Sequence, residues 1–190
     1  MTTAYILIAI AVLIVLWLIV TFNSLVVKRN RVEEAWSDID VQLKRRYDLI
    51  PNILETVKGY AKHEEGTLTK IVEARNAAMQ AHSQGESGDL AAQVQAENQL
   101  SQTLKSIFAL SEAYPDLKAN QNFLQLQDEL RDTEDKIQAS RRFYNGNVQT
   151  FNTALQVFPT NMFAGMLGFK ERQFFALASE QERATPNVKF

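Results

Sequence analysis

The sequence predicts an all-α protein in which an N-terminal transmembrane helix is followed by an antiparallel up-and-down four-helix bundle. Three observations carry that prediction. The run AYILIAIAVLIVLWLIVTF, from Ala4 to Phe22, is uncharged, and at about 1.5 Å per residue it matches a hydrocarbon core of roughly 30 Å. The 190 residues include only 7 glycines and 4 prolines, and Ala, Leu, Gln, Glu, Lys and Arg fill the middle of the chain, which is a helix-forming composition. Beyond the apolar run, hydrophobic residues recur three, four and seven apart.

Taken in order, the span is preceded only by MTT and followed by TFNS, which lacks the basic start and small-residue cut site of a cleaved signal peptide. Trp17 reads as a lipid-facing ring near the inner end of the span. Lys28, Arg29 and Arg31 follow directly, so the positive-inside rule sets the N-terminus outside and the rest in the cytoplasm, as a single-pass protein of the cell inner membrane. Val32, Trp36, Ile39, Leu43, Tyr47 and Ile50 form the stripe of the first bundle helix, with Glu33, Glu34, Asp38, Asp40, Lys44 and Arg45 on its other faces. Asp48 and Pro51 mark its end, because proline lacks an amide donor and disfavours helical torsions at Ile50. A second helix from Pro51 to His82 carries Val57, Ala61, Leu68, Ile71 and Ala78. SQGESGD, Ser83 to Asp89, is the loop before a third helix with Leu100, Leu104, Ile107 and Tyr114. After the YPD turn, a fourth helix shows a seven-residue seam of Phe123, Leu130, Ile137, Tyr144, Phe151 and Phe158. The helices are unequal in length, so either the bundle tilts from the span near Asn23 and Ser24, or Pro51 lies within one long helix whose stem needs partners. The implied division is 1–27 for the N-terminus and span, 28–170 for the bundle and 171–190 for a flexible tail.

Composition also excludes. A net charge of −2, with basic clusters each followed by carboxylates, argues against nucleic acid as a partner. With no cysteine, thiol catalysis, disulfides and Cys-based metal sites are absent. HEEGT at His63 lacks the second histidine of a zincin, and neither His63 nor His82 has a glutamate three residues before it, as a di-iron bundle requires. No G-x-S-x-G or kinase sequence occurs. No catalytic, metal-binding or cofactor-binding residue is therefore assigned, and no cofactor is expected.

The stretch NSLVVKRNRVEEAWSDIDVQLKRRYDLIPNILETVKGYAKHE with the following TLTKIVEAR, the later RRFYNGNVQTFNTALQVFPTN, and Gly168-Phe169 closely resemble the LemA family. The resemblance runs from the span almost to the C-terminus, excluding Ser83 to Asp89 and the last twenty residues. It implies a single-span membrane protein with a short external N-terminus and a cytoplasmic four-helix bundle, in a family without an established biochemical activity.

Three groups of residues remain as candidates. MFAGMLGF, which follows Pro159, is uncharged and too short to span a bilayer. Met162, Phe163, Met166, Leu167 and Phe169 are expected to contact lipid, another subunit or a protein partner, unless they form a lid on the bundle end. Lys28, Arg29 and Arg31 are expected at the membrane surface. Arg75, Glu97 and Glu134 interrupt apolar stripes at positions that a chain reversal at Ser83 to Asp89 brings together, which predicts a partly buried ion network. Asn145, Asn147 and Asn152 read as structural amides, and terminal VKF as a tail. The functional expectation is a membrane-anchored, non-catalytic adaptor or scaffold that self-associates and holds an unidentified protein partner at the bilayer. Two rivals stand beside it. One is a ligand-binding or enzymatic bundle with a polar site around Tyr47, Asp48 and the asparagines. The other is a regulatory protein that binds anionic lipid through Lys28, Arg29, Arg31, Lys44, Arg45 and Arg46.

Overall fold

The computed structural model describes residues 1–61, 63–83 and 89–175. Within them the chain is all-α, with no strand among the described residues. The helices are α1 (Thr2–Lys58), α2 (Glu65–Ser83), α3 (Leu90–Ala113), α4 (Pro115–Lys118) and α5 (Gln121–Gln156), and a 3-10 turn, Thr160–Met162, follows.

Pro51 does not end a helix. It lies inside α1, which continues to Lys58 and stops at Gly59. A proline here leaves the carbonyl four residues earlier, that of Tyr47, without its helical donor. Arg75 supplies the replacement, its Nε donating to the Tyr47 oxygen at 2.8 Å. The helix thus passes through a residue that ordinarily breaks it, because a side chain of α2 satisfies the freed acceptor. The later boundaries follow ordinary capping rules: Asp89 accepts the Ala91 amide at 2.9 Å, and Asn120 accepts the Phe123 amide at 3.0 Å. The expected turn at Pro115 forms the single-turn helix α4, whose Leu117 is buried.

The chain forms two compact units, one of Met1–Asp38 with Ser140–Phe174, the other of Ile39–Ala139 with the chain from Phe175. This differs from the division at 27 and 170, because α1 and α5 each contribute to both units. In the unit built on Ile39–Ala139, Asp40 near the start of its α1 stretch meets His82 at the end of α2, while the later Tyr47 meets the earlier Arg75. That pairing is antiparallel. Ser101 with Glu134, and Phe108 with Arg131, give the same sense to α3 and α5. Leu43, Ile53, Ile71, Leu100, Ile107 and Phe123 are among the buried residues of this up-and-down bundle.

In the other unit, Leu25, Val32 and Ala35 of α1 and Val148, Phe151 and Leu155 of α5 are buried, and the Trp36 ring meets Tyr144 edge-on at 5.5 Å. The stem of α1 beyond the apolar run is therefore paired. The heptad seam of α5 fails at Phe158, which is 79% exposed, because the helix ends at Gln156 ahead of Pro159. The chain then turns through 157–168 and continues without helix through Phe175. Asn152 holds this strand-like return from both sides, donating Nδ2 to the Arg172 carbonyl and accepting the Arg172 amide, each at 2.9 Å. Tyr144 donates its hydroxyl to the Gln173 carbonyl at 3.0 Å. Packing thus extends past the expected tail boundary at 171, while 176–190, including VKF, lie outside the described residues.

Candidate functional sites

Two regions combine features that a merely solvated helical surface lacks. The first is a buried charged layer in the Ile39–Ala139 unit. Arg46 falls three residues after Leu43 and four before Ile50, so helical geometry puts it on the inward stripe. Its side chain is fully buried and pairs with Glu97 of α3, also fully buried, and with Glu134 of α5 at 2.8 Å. Tyr47 donates its hydroxyl to the second oxygen of Glu97. Ser101 accepts from Arg46 at 2.9 Å and lies 3.2 Å from Glu134, to which it donates. Glu97 and Glu134 do share a cation, but it is Arg46 and not Arg75. The correction has a physical reason: Arg75 faces the α1 backbone at the proline, whereas Arg46 extends from α1 toward the carboxylates of α3 and α5. Arg46 Nε has no hydrogen-bond partner among the described residues, so the cluster is tightly but incompletely satisfied.

Nearby, His82 Nε2 lies 2.7 Å from Asp40 and its Nδ1 lies 2.9 Å from Gln93 Nε2. With Nε2 donating to Asp40, Nδ1 can accept from the Gln93 amide. His82 is therefore engaged and does not simply border the loop. Tyr114 lies 3.3 Å from Glu64, and its hydroxyl is held above its ordinary value by desolvation first and then by the Glu64 charge and hydrogen bond. An open groove of about 600 Å³ runs along Pro51, Leu54, Leu68 and Val72. Of its charged neighbours, Glu55 pairs with Lys58 at 2.7 Å and Arg75 donates to the Tyr47 carbonyl. No group of three metal-holding side chains gathers among the described residues.

The residues of the rival polar site make separate contacts. Tyr47 is buried with its hydroxyl on Glu97, and Asp48 is exposed. Asn147 donates to the Phe143 carbonyl of its own helix at 3.0 Å, and Asn152 is occupied by Arg172. Of the six basic residues considered for a lipid surface, Arg46 is removed by complete burial.

The second region is the segment after Pro159, which the structure divides. Phe169 is buried between Phe22, at a ring distance of 5.6 Å, and Phe151, at 6.4 Å, with the Arg29 guanidinium over its face. Phe163 is half-buried and meets Trp17 edge-on at 6.3 Å, so the Trp17 ring has a protein partner. Met162, Met166 and Leu167 are exposed, Met166 by 85%. The lid reading therefore fits Phe169, and the contact-surface expectation concerns the methionines and Leu167. Lys28 donates to Ser24 at 2.6 Å, Arg29 is 3.7 Å from Glu33, and Arg31 is exposed. Lys170 and Arg172 join this basic group, Arg172 reaching Glu33 at 3.3 Å.

A helical bundle with a closed polar interior, carried by a chain whose first helix includes an apolar stretch long enough to cross a membrane, defines a membrane-associated helical protein. Sequence comparison narrows the class. Residues 35–190 match the LemA family, and the chain is 31% identical over 161 residues to Protein LemA of Metamycoplasma hominis, a match covering 85% of this chain and 71% of that protein. The chain belongs to the LemA family. It is also similar to Magnetosome protein MamQ of Magnetospirillum gryphiswaldense, at 22% identity, and to Magnetosome protein MamQ 2 of Paramagnetospirillum magneticum, at 23%. Each of those matches extends over 178 residues and covers 83% of this chain but 65% of the relative, so the chain spans less than two thirds of their length.

Proposed function

We propose that the chain is a membrane-anchored adaptor or assembly scaffold, non-catalytic and self-associating, with its N-terminus outside and its bundle in the cytoplasm. One observation carries this reading: the buried Arg46 binds Glu97 and Glu134 instead of lining a cleft. Enzyme pockets gather titratable groups around accessible space. Here that cluster lies outside the open groove along Pro51 and Leu68. Val27 and Phe143 are half-exposed or more, which is the kind of apolar area that association covers. The basic residues Lys28, Arg29 and Arg31 on one side of the apolar stretch support the orientation.

Cross-linking of the full-length protein in native membranes, followed by affinity recovery, tests the scaffold. Oligomers and a reproducible co-purifying protein are expected. A monomer that recovers nothing, yet turns over a small molecule, would replace this reading with the enzymatic one. For orientation, a cysteine replacing Thr3 should be labelled from outside intact cells and one replacing Asp128 should not.

A further inference from the structure

We infer that residues 157–168 form a wedge embedded in one leaflet of the bilayer, the leaflet that the basic end of the span occupies. The inference deepens the membrane-anchored reading above and rests on it, but it does not depend on self-association.

Depth comes first. The hydrocarbon-matching run of α1 ends near Phe22, and Trp17 lies about 7.5 Å further in along the helix. Phe163 packs on Trp17, and Phe169 packs on Phe22. The segment therefore rises beside the span from the hydrocarbon boundary into the apolar region. What it exposes there suits lipid: Phe158 is 79% exposed, Met162 61% and Met166 85%. From Val157 to Phe169 the sequence has no charged residue.

The backbone is independently suited to that depth. In hydrocarbon, amides that lack water must find acceptors within the protein. Most of the segment meets that demand: the amides from Asn161 to Ala164 and from Leu167 to Phe169 donate to carbonyls of the same segment at 2.9 to 3.2 Å, while those of Gly165 and Met166 have no backbone acceptor among the described residues. Gly168, at φ +81°, permits the turn that brings the Phe169 amide back to Ala164. Immediately below, a recess of about 360 Å³ is walled by Arg29, Lys170 and Arg172 with Glu171, where long basic side chains meet headgroups. The occupant of the exposed apolar surface is therefore the acyl region of that leaflet.

Site-directed spin labelling tests this in the full chain, which has no native cysteine to remove. Single variants Met162→Cys, Met166→Cys, Leu13→Cys and Asp128→Cys would be reconstituted into phosphatidylcholine and phosphatidylglycerol vesicles. Collision with oxygen would be compared with collision with a water-soluble nickel complex. Labels at 162 and 166 should show an oxygen preference several-fold above that at 128 and comparable with that at 13. Nickel-accessible labels at 162 and 166, with a lipid-facing label at 13, would overturn the wedge while leaving the anchor intact. Labels at 162 and 166 shielded from both reagents and broadened by mutual proximity would assign the surface to a second copy, and the wedge would again fall. A water-exposed label at 13 would remove the anchored reading and the wedge together.

Discussion

The layer around Arg46 and the segment around Met166 invert the usual distribution of residues in opposite ways. One hides a guanidinium and a carboxylate completely, and the other presents methionine and phenylalanine outward. Burying Leu or Met at position 46 would satisfy the same stripe without desolvating charge, so the ion cluster is a poor source of raw stability. Its value lies in selectivity: a guanidinium that meets two carboxylates and a serine admits one register of α1 against α3 and α5, whereas apolar stripes tolerate slippage. The outward segment has no such internal specification beyond Phe169 and Phe163. Its position is fixed by the ring contacts of Phe163 with Trp17 and of Phe169 with Phe22 and Phe151, and its exposed side chains answer to their surroundings.

The largest effect expected from this contrast comes from removing Glu97, the fully buried partner of Arg46. Glu97→Leu should cost about 3 to 5 kcal/mol in chemical unfolding, and adding Arg46→Met should recover most of it. An inexpensive single variant would mean that the layer is not a closed ion cluster.

Next is the carbonyl beside the proline. Arg75→Met should cost about 1 to 3 kcal/mol, since it orphans the Tyr47 oxygen, and Pro51→Ala in the same chain should restore stability by returning the missing amide. Failure of that rescue would separate Arg75 from the proline.

A smaller loss, about 1 to 2 kcal/mol, is expected for Asn152→Ala, accompanied by faster hydrogen exchange at the Arg172 amide. It would show whether the return strand depends on that amide or on the aromatic packing of Phe169.

The smallest effect belongs to a solvated pair. Asp132 has its carboxyl held below the ordinary value chiefly by a hydrogen bond from Lys136, at 2.7 Å, against an opposing effect of desolvation. Because the folded value is lowered, any contribution is present above the ordinary carboxyl range and fades as pH falls through the lowered value. Lys136→Gln should raise the Asp132 titration midpoint, read by NMR, without a detectable shift in unfolding.

Much of this comparison was legible in the sequence. The apolar run, the helical class and the inward positions of Leu43, Ile71, Leu100 and Phe123 follow from spacing, and Glu97 and Glu134 were recognisable as charges interrupting a stripe. Arg46 was missed although its spacing from Leu43 and Ile50 satisfies both helical intervals, because the adjacent Tyr47 offers a more hydrophobic occupant for the same stripe. Whether Pro51 ends a helix or lies within one is not decided by local propensity, which describes the helix in isolation, because the repair comes from Arg75 on another helix. The seam through Phe158 overran for the converse reason: periodicity continues in the letters after the backbone has turned. The separate fates of Phe169 and Met166 depend on which side of a non-helical turn each faces, and helical periodicity has no bearing there.

The hydrogen bond from Arg75 to the Tyr47 carbonyl also sets an order of events during synthesis. Pro51 leaves the ribosome roughly two dozen residues before Arg75, and at about 5 to 20 residues per second that gap lasts roughly one to five seconds. During that interval the Tyr47 oxygen has only water as a donor, and the chain on either side of the proline lacks the contact that makes α1 continuous. The final turns of the longest helix are therefore completed by a residue not yet translated when they are made, and a nascent chain stalled before Arg75 would carry a shorter, hinged α1.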